Sequence, residues 1–301
     1  MIASFAVSRF ALLLVTTVAA VLRHDNPLRI WRQWDAKWYL GIAHYGYHFT
    51  IHGKPALAFF PLYPLLIKAG MTMGLFGDVV GILLSNGAFL GALFYVRALA
   101  CREWGEETAT RAVWLVAVFP TAFFTFAPYT EALFLLAAAG ALCHARRGDG
   151  LRAGLWVAAA ILTRSTGLIL VLAVPIALRS CGLNTRLKAI IPPILAAAAY
   201  AYYLGVQQLP VNALLEAQRS WHRTLTFPWT GFTASLGWLI HFGMTSLPWT
   251  VENVLQLSVT ALFLALTVFA WGELSSPIKA YCASFWLLIL LSPAWMDGYY
   301  A

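Results

Sequence analysis

The chain has 301 residues, of which 61% are hydrophobic and only 11% charged, and its mean hydropathy is +0.74. Soluble domains carry about 25% charged residues, so this composition excludes a soluble globular protein and indicates a polytopic membrane protein with no sizeable soluble appendage. Its 20 Lys and Arg against 12 Asp and Glu give a net charge of +8, read as loop charge at a membrane and not as nucleic-acid binding, because no basic run coincides with a soluble fold.

Taken in order, the first apolar segment is Ser4–Leu22. The flank Arg23-His24-Asp25-Asn26-Pro27 offers no small-residue cleavage site, so the segment reads as an uncleaved first helix. Further spans are predicted over Val79–Ala100, Ala109–Ala127, Thr130–Ala145, Leu151–Thr163, Thr166–Leu178, Ala189–Val206, Val251–Trp271 and Ile278–Ser292, about nine helices in all. The two beside Arg164 are short, which fits tilted or partly embedded helices. The four cysteines (Cys101, Cys143, Cys181, Cys282) form no CxxC pair and read as small apolar residues.

The segment Phe59–Phe76 is ambiguous, and loop charge resolves it. Three short loops are basic: Arg97/Arg102/Arg111, Arg146/Arg147/Arg152 and Arg179/Arg186/Lys188. The positive-inside rule places all three in the cytoplasm. They alternate correctly only if Phe59–Phe76, interrupted by Pro61 and Pro64, lies at the interface without crossing. Residues 23–78 then form one large extracytoplasmic loop and residues 207–250 a second, within a single membrane domain over 1–301. The first loop is itself basic (Arg23, Arg29, Arg32, Lys37, Lys54, Lys68), against the rule, although long loops obey it poorly. On this topology five features face outside: the Asp35 loop, the Tyr129-Thr130-Glu131 turn, the Arg164 turn, Gln207–Pro248 and Trp295–Ala301.

Those features hold the candidate functional residues. Asp35 sits in Trp34-Asp35-Ala36-Lys37-Trp38-Tyr39, where an acid walled by aromatics at a membrane surface reads either as a general base beside a lipid-borne substrate or as an incidental aspartate in an interfacial tryptophan belt. Glu131 has no formally charged neighbour back to Arg111 or on to Arg146. An ionisable group at such depth is functional or paired, and Arg164 is the structural partner to expect. Arg164 interrupts an apolar run and suits phosphate oxygens with its guanidinium fork, or else snorkels from a helix end. Gln218-Arg219-Ser220-Trp221-His222-Arg223 gathers an amide, an aromatic and two cations, as a sugar-phosphate site would, or as an ordinary interfacial belt would. His44, His48 and His52 recur at every fourth residue and would share a face on a helix, but Gly46 and Gly53 weaken that helix and no metal site is expected. No P-loop and no DxD pair occurs.

The pattern Trp34-Asp35-x-x-Trp38-Tyr39-x-x-Ile42-Ala43-x-x-Gly46-Tyr47, followed by Phe59-Phe60-Pro61-Leu62-Tyr63-Pro64-Leu65-Leu66, resembles the bacterial relatives of PIG-V, the second mannosyltransferase of glycosylphosphatidylinositol assembly. The likeness continues through Phe119-Pro120-x-x-Phe123-Phe124, Tyr129-x-Glu131, Thr163-Arg164-x-x-Gly167 and Gln218-x-x-Trp221. It implies an all-α, GT-C glycosyltransferase fold in a bacterial plasma membrane, with the active site on the outside. It also implies a polyprenyl-phosphate sugar donor, usually of mannose, a lipid or glycan acceptor, and no required cofactor. Asp35 maps onto the family's base. Arg164, Arg219, Arg223 and Lys37 then become candidates for the donor phosphate, and Trp34, Trp38, Tyr39, Tyr129, Glu131, Gln218 and Trp221 for substrate contact. Relatives usually continue past the equivalent of Trp295–Tyr300 into a further arginine-bearing loop, so the resemblance implies a shortened chain or a compromised activity.

Two other classes compete. A transporter or flippase would use Glu131 and Arg164 along a translocation path, but would place polar groups at mid-membrane, often in internal repeats, and none is found. A non-catalytic relative would bind donor lipid without turnover.

Overall fold

The computed structural model describes residues 1–209, 211–221, 225–242 and 247–291. They form two compact units, Met1–Leu209 and Pro210–Ala301. Among the described residues four helical stretches are long and apolar enough to cross a membrane: Ile2–Arg23, Gly77–Val118, Leu183–Val206 and Asn253–Glu273. The chain is therefore an all-α membrane protein apart from one small hairpin among the described residues.

In the first unit, helix α1 (Ile2–Arg23) ends where His24 turns left-handed, and a short α2 (Pro27–Ile30) starts on the Asn26 cap. Helix α3 (Asp35–Tyr45) stops at Gly46, whose φ of 75° favours glycine. Strands β1 (Thr50–Ile51) and β2 (Lys54–Pro55) then pair antiparallel. Their loop is His52-Gly53, both with positive φ, as a tight hairpin demands. Helix α4 (Leu62–Thr72) has 11 residues. At about 1.5 Å per residue it is far shorter than a bilayer core of about 30 Å.

Helix α5 (Gly77–Val118) contains a reversal at Gly105, whose φ of 82° and ψ of 177° admit only glycine readily. Phe89 and Leu93 before it share one buried cluster with Val113 and Ala117 after it, so the halves run side by side. Two separate spans were predicted here, and two antiparallel limbs are present. The second is shorter than Ala109–Ala127. It ends at Val118 because Pro120 drives Phe119 into extended backbone, and a 3₁₀ turn, Ala122–Thr125, follows.

Helices α6 (Glu131–Arg146) and α7 (Gly150–Thr163) follow, and α6 packs on both α5 and α7. The predicted span Thr166–Leu178 is instead a 3₁₀ turn, Ser165–Ile169, leading into an eight-residue α8 (Leu170–Ala177) with Pro175 inside. Helix α9 (Leu183–Val206) lies against α7. That contact is backbone to backbone: a Cβ on Gly150 would stand 2.0 Å from the Thr185 carbonyl oxygen, and one on Gly154 2.7 Å from that of Ala189. Small residues four apart are what such close crossings in membranes require.

The second unit contains α10 (Val211–Ser220), α11 (Thr230–Phe242), α12 (Leu247–Ala270) and α13 (Ser276–Leu291). Trp286 Nε1 donates to Thr267 Oγ1 at 3.1 Å, tying α13 to α12. Among its described residues the expected outside stretch Gln207–Pro248 carries two helices of its own, α10 and α11. Trp295–Ala301 lies outside the described residues.

Candidate functional site

Asp35 is the first residue of α3, where the helix dipole favours negative charge. The residue before it, Trp34, holds φ 41° and ψ −120°, a conformation that non-glycine residues avoid. Strain of this kind persists only where the surroundings over-determine it. Here the chain must turn sharply to start α3 while the Trp34 ring stays 6.4 Å from Phe124.

The rest of α3 is anchored by residues on both sides of the hairpin. Trp38 stacks on Phe59 at 5.2 Å and meets Phe49 edge-on at 5.9 Å. Tyr39 stands edge-on to Phe59 at 5.3 Å and to Tyr63 at 5.4 Å. Trp38 and Tyr39 are therefore buried, whereas Trp34 and Lys37 are exposed.

The Tyr39 hydroxyl lies 3.0 Å from Thr130 Oγ1. Arg164 Nη1 donates to the same Thr130 oxygen at 3.0 Å and pairs with Glu131. Arg164 occupies the extended break between α7 and the 3₁₀ turn. Its own amide donates to the Ala160 carbonyl at 3.0 Å, and its carbonyl accepts from Gly167 N at 2.9 Å, so the break is fixed.

Asp35 belongs to this cluster by charge: Asp35 and Glu131 both act electrostatically on Arg164 and on Tyr39. Burial pushes the Tyr39 phenol well above its ordinary value, Asp35 adds to the effect, and Arg164 opposes it. Glu131 Oε2 is buried and has no hydrogen-bond partner among the described residues.

A second layer of polar contacts locks the elements together. Tyr63 Oη donates to the Gly81 carbonyl at 2.8 Å and lies 2.7 Å from Ser85 Oγ. Ser85 Oγ also lies 3.1 Å from the Tyr129 carbonyl, and Tyr129 Oη donates to the Gln33 carbonyl at 2.9 Å. Arg32 forms a two-pronged pair with Asp78 at the start of α5. Deeper in, Arg9 of α1 donates to Asn86 Oδ1, the Thr125 carbonyl and Thr125 Oγ1, each at 3.0 Å. Its guanidinium lies 4.5 Å from the Phe89 ring centre.

Of the residues predicted from sequence, Asp35, Tyr39, Tyr129, Glu131 and Arg164 therefore converge in the first unit. Gln218 and Arg219 lie on α10 and Trp221 directly after it, in the second unit. Arg223 lies outside the described residues. His44 is in α3, His48 in a turn and His52 in the hairpin loop, so they share no helical face. Among the described residues no cluster of three potential metal ligands occurs.

Sequence reasoning passed over Thr130, Ser85 and Arg9. Arg9 carried a usable signal, an ionisable residue within an apolar span. Thr130 carried only its place between two residues that had been singled out.

The profile of the family described as Mannosyltransferase (PIG-V) matches residues 21–181, the stretch that holds this cluster. The rat (Rattus norvegicus) and mouse (Mus musculus) proteins named GPI alpha-1,6-mannosyltransferase 2 are each 34% identical over 149 residues. The Chinese hamster (Cricetulus griseus) protein of that name matches to the same extent. Each match covers 46% of this chain and 29% of the relative. No solved structure matches.

Proposed function

Because the chain belongs to the PIG-V mannosyltransferase family, we propose that it transfers mannose from a polyprenyl-phosphate donor to a lipid or glycan acceptor on the outer face of a bacterial plasma membrane. The observation that carries this reading is the convergence of Asp35, Thr130, Glu131 and Arg164, from three separate elements, at one end of the first unit. In this reading the fold is of the GT-C type with about nine membrane helices, and Gln218, Arg219, Trp221 and Arg223 are further candidates for substrate contact.

The chemistry asks little of the protein. A lipid phosphate is a good leaving group, so one base and one or more cations suffice. Asp35 takes the proton of the acceptor hydroxyl as that oxygen bonds to the anomeric carbon. The carbon–oxygen bond to the donor phosphate breaks, and the electron pair leaves with the phosphate. Arg164 meets the departing charge, with Arg219, Arg223 and Lys37 as further candidates. Such a single displacement inverts the anomeric centre. A retaining route needs a second carboxylate as nucleophile; in this reading Glu131, one of whose oxygens pairs with Arg164, is a structural or acceptor-binding acid instead.

One further feature supports a donor carried by a lipid. Residues Ile161 and Leu168, on either side of Arg164, line an apolar groove of about 320 Å³ between α7, α8 and α9. The walls continue through Val171, Val174, Ile190 and Ile194, which suits a prenyl chain.

The test is mannosyl transfer from synthetic polyprenyl-phosphate-mannose by the purified protein in detergent, with bacterial membrane lipids as acceptors, wild type against Asp35→Asn. Transfer by the wild type and its loss in the variant are expected. Transfer by both would remove Asp35 as the base. Donor binding without transfer by either would place the chain among non-catalytic relatives.

A further inference from the structure

Beside the Gly105 reversal of α5 and the last turn of α6, remote from Thr130, lies a cleft of about 300 Å³ whose lining includes Arg97, Arg102, Arg146 and Arg147. Arg97 and Arg102 come from the limb of α5 before Gly105, and Arg146 and Arg147 from the last turn of α6 and its cap. Two acids offset part of this charge: Glu106 pairs with Arg97 and Glu103 with Arg146. Arg102 and Arg147 have no ion pair among the described residues, yet both act electrostatically on Cys143 in the cleft wall. Arg146 Nε is buried with no hydrogen-bond acceptor among the described residues. Ala98 and Leu99 complete the wall with apolar surface.

Four guanidinium forks against two carboxylates leave an excess of two positive charges around a small concave space. Arg102 and Arg147 are exposed, the excess favours an anion, and guanidinium geometry suits phosphate oxygens. Basic clefts between membrane helices, with apolar surface beside the charge, suit the headgroup of an anionic lipid. We propose that this cleft is a phosphate-binding site, separate from the Asp35–Arg164 cluster and of a size for the phosphodiester of an anionic phospholipid. Its occupant clamps the Gly105 reversal of α5 to the end of α6.

The test uses the full chain in nanodiscs of phosphatidylcholine, titrated with phosphatidylglycerol and, separately, with inorganic pyrophosphate, with binding read by native mass spectrometry and by the unfolding temperature. The variant is Arg102→Gln/Arg147→Gln, which leaves both ion pairs in place. The control is Arg152→Gln, which removes one exposed positive charge at the same end of the molecule. The double variant is expected to lose about tenfold in apparent affinity for phosphatidylglycerol and its stabilisation by that lipid, while the control keeps both within about twofold.

Competition by pyrophosphate would extend the site to free phosphate, and failure to compete would confine it to lipid headgroups; both outcomes support a phosphate site. Equal affinities in wild type and double variant, or an equal loss in Arg152→Gln, would overturn it. Binding is read without turnover, so the result stands apart from that of the transfer assay.

Discussion

Tyr39 and Arg164 meet on one hydroxyl: each places a side-chain atom 3.0 Å from Thr130 Oγ1. The helix that begins with Asp35 is thereby tied to the break after α7 through the residue that opens α6. Three elements distant in sequence are registered against one another by a single oxygen. The position of Asp35 relative to Arg164 is then a property of the fold and not of a mobile loop.

Replacing Thr130 by valine preserves volume and removes that oxygen. The Tyr39 phenol and one Arg164 donor would each lose a partner, at a cost of about 1–3 kcal/mol for each buried group left unsatisfied. Thr130→Val is expected to shorten the thermal half-life in detergent and lower transfer about tenfold or more, while Thr130→Ser restores both. Full transfer by the valine variant would show that this registration is irrelevant to activity.

The pairing of Arg164 with Glu131 is half-shielded, with side chains 32% and 35% exposed. Its coupling should lie between the values for surface and buried pairs, about 1–3 kcal/mol in a double-mutant cycle. Glu131→Gln is expected to cost more than Glu131→Gln combined with Arg164→Gln, because the single change strands a cation. Strictly additive losses of stability would mean that the two side chains do not interact in the membrane.

Arg9, within the first span, donates to Ser8 Oγ, Asn86 Oδ1, the Thr125 carbonyl and Thr125 Oγ1, lies near the rings of Phe5, Phe89 and Phe126, and is 7% exposed. Arg9→Met should leave Asn86 Oδ1 and the Thr125 carbonyl without this donor and detach α1 from α5. The inactivation rate in detergent is expected to rise more than fivefold, equivalent to about 1 kcal/mol or more. Arg9→Lys should rescue little, because one ammonium group cannot reproduce a planar fork that reaches both Asn86 and Thr125. An unaltered rate in Arg9→Met would mean that α1 is held by apolar packing alone.

Much of this arrangement is legible in sequence, and the reasons are physical. Long apolar runs specify spans by length, and the Tyr129-Thr130-Glu131 and Arg164 turns stand out because charge within such runs is rare. The pairing of Glu131 with Arg164 was foreseeable on that ground alone. Helix ends were less legible. The run up to Ala127 is apolar throughout, yet Pro120 stops the helix at Val118, and the run after Arg164 is apolar, yet it begins as a 3₁₀ turn. Apolar composition describes a solvent and not a backbone. Nor does periodicity show that Trp38 packs on Phe59 while Trp34 stays exposed, because that depends on the strained turn at Trp34.

Alkaline pH tests the burial of α3 directly. Burial raises the phenols of Tyr39 and Tyr63 well above the ordinary tyrosine value near 10, and for Tyr63 the hydrogen bond to Ser85 opposes the shift. Both lie outside the helices that are long and apolar enough to cross a membrane. In the unfolded chain they ionise near pH 10, so above that pH the unfolded state binds fewer protons than the folded state and stability falls as pH rises. Below pH 10 the contribution is fully present. Each such group steepens the fall by up to about 1.4 kcal/mol per pH unit. Absorbance of tyrosinate should therefore show that some of the 12 tyrosines titrate only as the protein unfolds. Tyr39→Phe should remove one of them and flatten the stability profile above pH 10. Reversible ionisation of every tyrosine near pH 10, with the helical circular dichroism intact, would show that α3 is not packed against Phe59 and Tyr63 as described.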